Sequence, residues 1–365
     1  MTETAYLVLQ DGSFYEGESF GSSVTSVGEV VFNTSMTGYQ EILTDPSYSG
    51  QIVMPTYPII GNYGVNGEDM ESNNVQVSGF AVRDHCTQPS HNSSNMTLSE
   101  YLSSEGITGI SGIDTRSVTR KIRLSGVMMG AIAIGISPSE AISILKEYPS
   151  YDTRNFVETV STNASYSWGM DTNEANGENG QLILVSDYGL KYNILRILKS
   201  KGFRVMAMPA YATAEDILSL NPKGIVLSPG PGDPSLLSNL VQTTQQLAGK
   251  IPIMGICLGH QIIARAFGAQ TFKLKFGHRG GNHPVRNVED KRVYITAQNH
   301  GYAVSADKLP SELRISHINL NDGTIEGLEH IDLPIMSIQY HSEASPGPLD
   351  NLYLFDRFAN MVKSD

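Results

Sequence analysis

The second half of the chain alternates between short apolar runs and amphipathic segments, and this alternation restricts the fold more than any other feature of the sequence. From residue 181 onward, predicted strands are found in QLILVSD, FRVMAMP, GIVLSPG and IPIMGI. Apolar residues recur at helical spacing in the intervening segments and after the fourth strand, and Gly202 is placed to end the first helix. Strands that alternate with helices predict a parallel sheet with helices on its faces.

Beyond Gly277 the alternation gives way to a run of strands. The segment LRISHINLNDGTIEGLEH contains Asn321-Asp322-Gly323, which favours a tight hairpin between two antiparallel strands. We therefore predict an α/β domain over residues 181–365, with a mixed, mostly parallel sheet flanked by helices.

The first 150 residues have a different pattern. Short apolar segments divided by Gly, Ser, Asn and Pro predict strands in AYLVLQDGS, GEVVFNTS, QIVMP and VSGFAV. A helix is predicted in SPSEAISILKE, capped by Ser137 or Ser139. We predict a β-rich α/β domain over residues 1–150. The polar stretch STNASYSWGMDTNEANGENG cannot bury much surface and predicts a linker, which we place at residues 151–180.

Composition excludes several classes of function. Lys and Arg number 25 against 37 Asp and Glu, so the net charge is −12, which disfavours binding to nucleic acid or to an anionic membrane. Two cysteines exclude a disulfide framework and a cysteine-based zinc site. The N-terminus lacks the pattern of a signal peptide, and no apolar run is long enough to span a membrane. We expect a cytoplasmic protein.

One of the two cysteines lies in a setting typical of a nucleophile. In Gly255-Ile256-Cys257-Leu258-Gly259, the cysteine stands between glycines at a strand-to-helix turn. Such a turn is tight, so side chains beside it would clash, and we expect it to leave the sulfur exposed. The following helix favours the thiolate, and the Leu258 N–H points to where an oxyanion would form. The alternative is an ordinary buried cysteine, which the glycine spacing disfavours.

A cysteine nucleophile needs an acid–base partner, and LPIMSIQYHSE supplies one. An apolar run ends at His341, and Glu343 follows two residues later, on the same face of an extended chain. His341 could exchange a proton with the sulfur while Glu343 orients the ring. Alone, this pair would be interpreted as a solvent-facing strand end. Together with the glycine-flanked cysteine it indicates a triad.

A stiff glycine-containing loop follows the third strand of the second half. It runs over residues 227–234 as LSPGPGDP, at the end of a strand where α/β sheets bind ligands. The Gly230 N–H is our candidate for a second oxyanion donor. A rigid turn with Asp233 capping the next helix is compatible with this role. A phosphate-binding loop is disfavoured because no Lys or Ser/Thr follows at the required spacing.

Three histidines in two other loops raise the question of a metal site. They are His278, His283 and His300, in HRGGNHPV and QNHG. No carboxylate lies at ligand spacing, so we predict hydrogen-bonded histidines and no metal ligand in this chain. Cys86 has no comparable setting and is predicted to be structural.

With these motifs in place, the sequence resembles the class I glutamine amidotransferases of the Cys-His-Glu type. More specifically, it resembles the small, glutamine-hydrolysing subunit of carbamoyl-phosphate synthetase over nearly its whole length. The triad motifs indicate only the superfamily. The narrower resemblance is carried by segments 32–53, 112–120, 187–196 and 276–285, the last reading FGHRGGNHPV.

The resemblance implies roles for individual residues. Cys257, His341 and Glu343 would form the triad, and L-glutamine would be held by Ser47, Gly230, Gly232, Leu258, Gln261, Asn299, Gly301 and Tyr302. Ammonia would pass to a large partner subunit that binds ATP and Mg²⁺ and makes carbamoyl phosphate from bicarbonate. No cofactor is expected in this chain, and residues 1–150 would dock on that partner. The sequence departs from the family at Pro229 and Tyr302, where Asn and Phe are usual.

Two alternatives remain at this stage. One is the glutaminase of another synthase, such as anthranilate synthase, which would not need residues 1–150. The other is a non-catalytic scaffold subunit, which the intact Cys257, His341 and Glu343 disfavour.

Overall fold

A computed structural model of the chain describes residues 3–169 and 180–363. Its backbone contacts divide it into two units, Met1–Arg154 and Asn155–Asp365. The predicted linker lies partly outside the described residues. Of the part that is described, residues 155–169 belong to the second unit, where Tyr166–Ser167 pairs with a strand of the large sheet. The limits 1–150, 151–180 and 181–365 stay a prediction.

The first unit is built on a closed barrel. Its strands are β1 (Thr4–Leu9), β2 (Phe14–Gly21), β3 (Ser26–Asn33), β4 (Gln51–Pro55), β5 (Ile59–Ile60), β6 (Gly79–Ala81), β7 (Asp84–His85), β8 (Thr108–Ser111) and β9 (Met128–Ile134). Its helices are α1 (Tyr39–Thr44), α2 (Leu98–Ser104), α3 (Thr115–Ser125) and α4 (Pro138–Glu147). The barrel order is β1-β2-β8-β6-β4-β3-β9, and β1 closes it by pairing with β9 as well as with β2.

Local sequence signals in this unit are confirmed. The four predicted strands are β1, β3, β4 and β6, and the predicted helix is α4. Ser137 caps α4 by accepting a hydrogen bond from the Glu140 N–H, and Glu140 reaches back to the Ser137 N–H at 2.7 Å. Closure of the barrel could not be predicted from the sequence, because it depends on pairing between strands that are far apart in the chain.

The second unit contains one large sheet. Its strands are β10 (Tyr166–Ser167), β11 (Leu182–Asp187), β12 (Arg204–Pro209), β13 (Gly224–Leu227), β14 (Ile253–Ile256), β15 (Thr271–Asn287), β16 (Val293–Val304), β17 (Leu313–Asn319), β18 (Ile325–His330) and β19 (Ile335–Ile338). Its helices are α5 (Val157–Val160), α6 (Tyr192–Ser200), α7 (Ala214–Ser219), α8 (Ser238–Leu247), α9 (Leu258–Ala266) and α10 (Tyr353–Lys363). The strand order is β10-β12-β11-β13-β14-β19-β18-β17-β15-β16.

The sheet is mixed, as predicted, and divides into two parts. The five strands β12, β11, β13, β14 and β19 pair in parallel. From β19 onward, β18, β17, β15 and β16 pair antiparallel, and so does β10 at the other edge. The antiparallel part is larger than the sequence suggested, because the strands after α9 add to this sheet. The predicted hairpin joins β17 to β18, with Gly323 at φ 79°.

Helices cover both faces of the parallel strands. On one face, α6 and α10 pack through residues such as Leu195 and Phe358. On the other, α7, α8 and α9 pack through residues such as Ile217, Leu240 and Ile262. The doubly covered sheet explains why the parallel strands are nearly continuous apolar runs. It also gathers the loops after β13, β14 and β19 at one edge. None of the described helices combines the length and apolarity needed to cross a bilayer.

Candidate active site

The predicted nucleophile lies at a strained turn between β14 and α9. Cys257 has φ 52° and ψ −103°, a backbone conformation that residues with a side chain rarely adopt. Its N–H donates to the Ile338 carbonyl oxygen at 2.8 Å, which ties the turn to the end of β19. Strain of this kind persists only where the surrounding structure enforces it, and it is concentrated at functional sites.

The two flanking glycines have the steric role that the sequence predicted. A β-carbon on Gly255 would come within 2.7 Å of the Gly259 carbonyl oxygen. A β-carbon on Gly259 would come within 2.1 Å of the Leu227 carbonyl oxygen. These contacts are impossible for real side chains, so the close approach of α9 to β13 and β14 requires glycine at both positions.

The sulfur itself is buried, and the expectation that the turn would leave it exposed is wrong. Cys257 is only 2% exposed, and its Sγ lies 3.6 Å from the Asn299 carbonyl oxygen. The reason is that β16, from the antiparallel part of the sheet, passes over the turn. That strand was predicted, but its position could not be predicted from local pattern.

The other two triad residues follow β19. His341 donates its N–H to the Ala297 carbonyl oxygen at 2.9 Å, which fixes its backbone against β16. Its Nδ1–H donates to the Glu343 Oε1 at 2.6 Å. The Nε2 of His341 is buried and has no hydrogen-bond partner among the described residues. The ring therefore has the form expected of an acid–base group, with one nitrogen oriented by a carboxylate and the other available.

The electrostatics of this pair favour its ionised form. Burial alone would lower the pKa of His341, but the Glu343 carboxylate and the Cys257 thiol outweigh it, so the pKa is raised. Burial raises the pKa of Glu343, but His341 and Lys191 outweigh it, so that pKa is lowered. The imidazolium and the carboxylate therefore stabilise one another.

Lys191 was missed as part of this site. Its Nζ lies 3.4 Å from the Glu343 Oε1, and the side chain is only 2% exposed. It also donates to the Ala344 carbonyl oxygen. The Asn193 side chain donates to the Glu343 carbonyl oxygen at 2.6 Å. Lys191 lies within one of the segments that carry the family resemblance, but its spacing from the triad gives no signal, because the contact joins the loop after β11 to the loop after β19.

The predicted oxyanion donors lie beside the turn. Leu258 is the first residue of α9, where a backbone N–H has no intrahelical acceptor. A β-carbon on Gly230 would come within 2.8 Å of the Leu258 side chain, so the loop after β13 lies against the start of α9. Gly232 has φ 92°, which favours glycine. Asp233 accepts from the Ser235 N–H at 2.8 Å, capping a short 3₁₀ turn that precedes α8.

The remaining predicted glutamine-binding residues of this unit lie on α9 and β16. Gln261 lies one turn after Cys257, and its side-chain amide donates to the Tyr302 carbonyl oxygen at 3.0 Å. It also donates to the Gln339 Oε1 at 3.1 Å. Asn299 is buried against the sulfur, as described above, and Gly301 separates it from Tyr302. The structure therefore brings Gln261, Asn299, Gly301 and Tyr302 into the neighbourhood of Cys257, while their contact with glutamine stays a prediction.

Ser47 belongs to the first unit. Its N–H donates to the Asp45 Oδ1 at 2.9 Å, and its Oγ is buried without a hydrogen-bond partner among the described residues. Its predicted role in holding glutamine stays a prediction.

The loop histidines have a carboxylate neighbour that the sequence did not indicate. The buried side chains of His278, His300 and Glu326 approach one another from β15, β16 and β18. Glu326 was overlooked because it is distant in the sequence from both histidines. The absence of a carboxylate at ligand spacing in the sequence therefore did not exclude one in space, while the predicted hydrogen bonds are present at His278 and His300.

Comparison with known proteins agrees with the geometry. Residues 184–361 match the family model for glutamine amidotransferase class-I, and residues 7–132 match that for the carbamoyl-phosphate synthase small chain, CPSase domain. The fold and the site thus define the second unit as a class I glutamine amidotransferase domain.

Relatives match over the full length. A carbamoyl phosphate synthase small chain of Aquifex aeolicus is 48% identical over 100% of both chains. One from Akkermansia muciniphila is 48% identical over 98% of this chain and 97% of its own. One from Solidesulfovibrio magneticus is 47% identical over 99% of each. The chain belongs to the carbamoyl phosphate synthase small-chain family.

Proposed function

We propose that this chain hydrolyses L-glutamine to glutamate and ammonia and supplies the ammonia to a large partner subunit. The observation that carries the proposal is the strained turn that brings the Cys257 thiol next to the oriented His341–Glu343 pair. A cysteine sulfur beside an imidazole that can take its proton, with the ring oriented by a carboxylate, is the arrangement required for nucleophilic attack on an amide.

The reaction proceeds in two halves. The Cys257 thiolate attacks the side-chain carbonyl carbon of glutamine, and His341 gives its proton to the departing nitrogen as the C–N bond breaks. Ammonia leaves and a γ-glutamyl thioester remains on the sulfur. Water then attacks the thioester with His341 as base, which releases glutamate and restores the thiol.

Other groups support this reaction without exchanging protons. The N–H groups of Gly230 and Leu258 stabilise the oxyanion that forms in each half, and losing one such donor costs roughly 3 kcal/mol. Glu343 holds the His341 ring, while Lys191 neutralises the carboxylate. Gln261, Asn299, Gly301 and Tyr302 position the substrate, joined by Gly232.

The partner follows from the family. The name small chain implies a large chain, and we propose that it makes carbamoyl phosphate from bicarbonate, ATP and the ammonia delivered by this subunit. ATP and Mg²⁺ then bind on the partner and not on this chain. The first unit provides the docking surface. The match of residues 7–132 to the small-chain model disfavours the glutaminase of an unrelated synthase.

The decisive experiment is Cys257→Ser in the complex with the large subunit. We expect loss of glutamine-dependent carbamoyl phosphate synthesis while synthesis from added ammonia persists. Cys86→Ser is the matched control, because it removes the other thiol of the chain and is expected to keep both activities. Loss of both activities in Cys257→Ser would assign the residue to folding or assembly. No glutamate release by the unaltered complex would favour a scaffold subunit.

A further inference from the structure

The segment that continues β19 towards His341 directs its side chains alternately to two sides. Ile338 and Tyr340 belong to the core cluster that also contains residues of α10. Ser337 and Gln339 point to the other side, where each contacts a side chain of α9. His341 follows at the same spacing, so Gln339 precedes the proposed acid–base histidine on the face of the segment that meets α9.

Gln339 is fully buried, and its side-chain amide is only half satisfied. Its backbone N–H donates to the Glu326 carbonyl oxygen at 2.9 Å, and its side chain has no exposed surface. Its Oε1 accepts from the Gln261 Nε2 at 3.1 Å, while its own Nε2 is buried without a hydrogen-bond partner among the described residues. An unpaired buried amide N–H destabilises a fold, so this orientation of the amide needs an explanation.

The neighbouring carboxamide supplies that explanation. The NH₂ group of Gln261 has two hydrogens, and it donates both to the Tyr302 carbonyl oxygen at 3.0 Å and to the Gln339 Oε1. A backbone carbonyl can only accept, so turning the Gln261 amide would place two oxygens against one another. Turning the Gln339 amide would instead place two NH₂ groups against one another. The observed pair of orientations is therefore the one in which both hydrogens of Gln261 find acceptors.

This arrangement determines which atom of Gln261 is left for a substrate. Because both hydrogens of its amide are used within the protein, the Oε1 remains as an acceptor. Gln261 lies one helical turn after Cys257, so this acceptor belongs to the neighbourhood of the sulfur. An acceptor there suits an N–H donor of the substrate, and glutamine has two such groups, its carboxamide NH₂ and its α-ammonium group.

We infer that Gln339 is a positioning residue, which holds the Gln261 carboxamide with its oxygen available to a nitrogen donor of the bound glutamine. The inference rests on the proposed function and adds to it a residue that acts on substrate recognition through Gln261. The Gln339 amide exchanges no proton with Cys257 or His341. Its loss should therefore weaken glutamine binding without slowing the chemical steps.

The test is Gln339→Met in the complex with the large subunit. Methionine has nearly the same length, and it removes the acceptor together with the unpaired NH₂ group, so the fold should be retained. We expect the KM for glutamine to rise about 3- to 10-fold, the range for losing one hydrogen bond. The kcat for glutamate release should change by less than about 2-fold, and synthesis from added ammonia should be unchanged.

A double-mutant comparison separates positioning from a structural role. If Gln339 acts only through Gln261, then Gln261→Met and the double variant Gln261→Met, Gln339→Met should have the same KM to within about 2-fold. Effects that multiply would overturn the inference, because Gln339 would then act independently of Gln261. A lower kcat at unchanged KM would also overturn it and would assign Gln339 to supporting the His341 segment.

The matched control is Ser337→Ala. Ser337 lies on the same face, but its Oγ is 2.9 Å from the Nδ1 of His260, which the reaction does not use, so the KM should stay unchanged. If Gln339→Met loses its native circular dichroism, Gln339→Asn replaces it with the same expected rise in KM, because the shorter side chain cannot reach Gln261. An unchanged KM in a folded variant of Gln339 would overturn the inference. Glutamate release by the unaltered complex tests the proposed function separately, so the two can fail independently.

Discussion

The second unit contains two buried histidine–carboxylate groupings that differ in how they are assembled. His341 and Glu343 are two residues apart on one segment, and a lysine and a thiol complete their surroundings. His278 and Glu326 come from different strands, and the side-chain amides of Asn319 and Gln298 donate to the Glu326 carboxylate. In both groupings carboxylates outweigh burial and raise the pKa of the histidine. A raised histidine pKa therefore does not by itself distinguish a reactive site from a structural one. The distinction comes from the neighbouring atoms, since only His341 has a thiol beside its ring.

The largest difference between the two groupings should appear in activity. Glu343→Gln removes the charge that favours the His341 imidazolium, so glutamine hydrolysis should fall by roughly 10²-fold or more. Ammonia-dependent synthesis by the complex should be retained. Steady-state glutamate release measures the effect, with the exposed Glu215→Gln as the matched control. A loss of less than a few fold would mean that Glu343 does not orient the ring.

The pH dependence of stability should have the same sign in both groupings, since the pKa of each histidine is raised. The pKa of His341 is raised from 6.5 to about 10, so its contribution to stability is complete below pH 6.5 and is lost as the pH rises towards 10. The difference in unfolding free energy between the unaltered chain and His341→Gln should shrink over this range. The pKa of His278 is raised as well, because its hydrogen bonds and charge interactions with Glu326 and Asp322 outweigh burial, so the corresponding difference for His278→Gln should also shrink as the pH rises above 6.5. Denaturant titrations at several pH values measure both slopes, and a difference that grows with pH for either variant would contradict the raised pKa of that histidine.

The smallest effect is expected at the edge of the second grouping. The Asp322 side chain is 38% exposed, so its pairing with His278 should contribute no more than about 1 kcal/mol. Asp322→Asn keeps an oxygen to accept from the Thr324 N–H, which preserves the hairpin turn. Chemical denaturation should therefore show a loss below about 1 kcal/mol, and a much larger loss would mean that this pair is effectively buried.

The comparison also explains what could be predicted from the sequence. Cys257 with its flanking glycines, and His341 with Glu343, are short local patterns, and the structure places them together. The strands and helices before residue 267 are local patterns too. Lys191 and Glu326 were not predicted because each contacts residues from a different strand or loop that is distant in the sequence. The spacing of residues along the chain gives no information about such contacts.

Long-range pairing accounts for the remaining differences. The closed barrel of the first unit depends on β1 meeting β9. The burial of Cys257 depends on β16 passing over the turn, and the size of the antiparallel part depends on which strands follow β19 in the sheet. Alternation within a segment predicts a strand, but it does not predict the strand's neighbour.

The backbone at residue 257 suits glycine better than any residue with a side chain. Keeping a cysteine there costs the folded chain on the order of 1 kcal/mol or more. The replacement Cys257→Gly would relieve this strain but would also remove a sulfur that is buried in the hydrophobic core, so the turn exchanges backbone strain for a reactive side chain held in a fixed place.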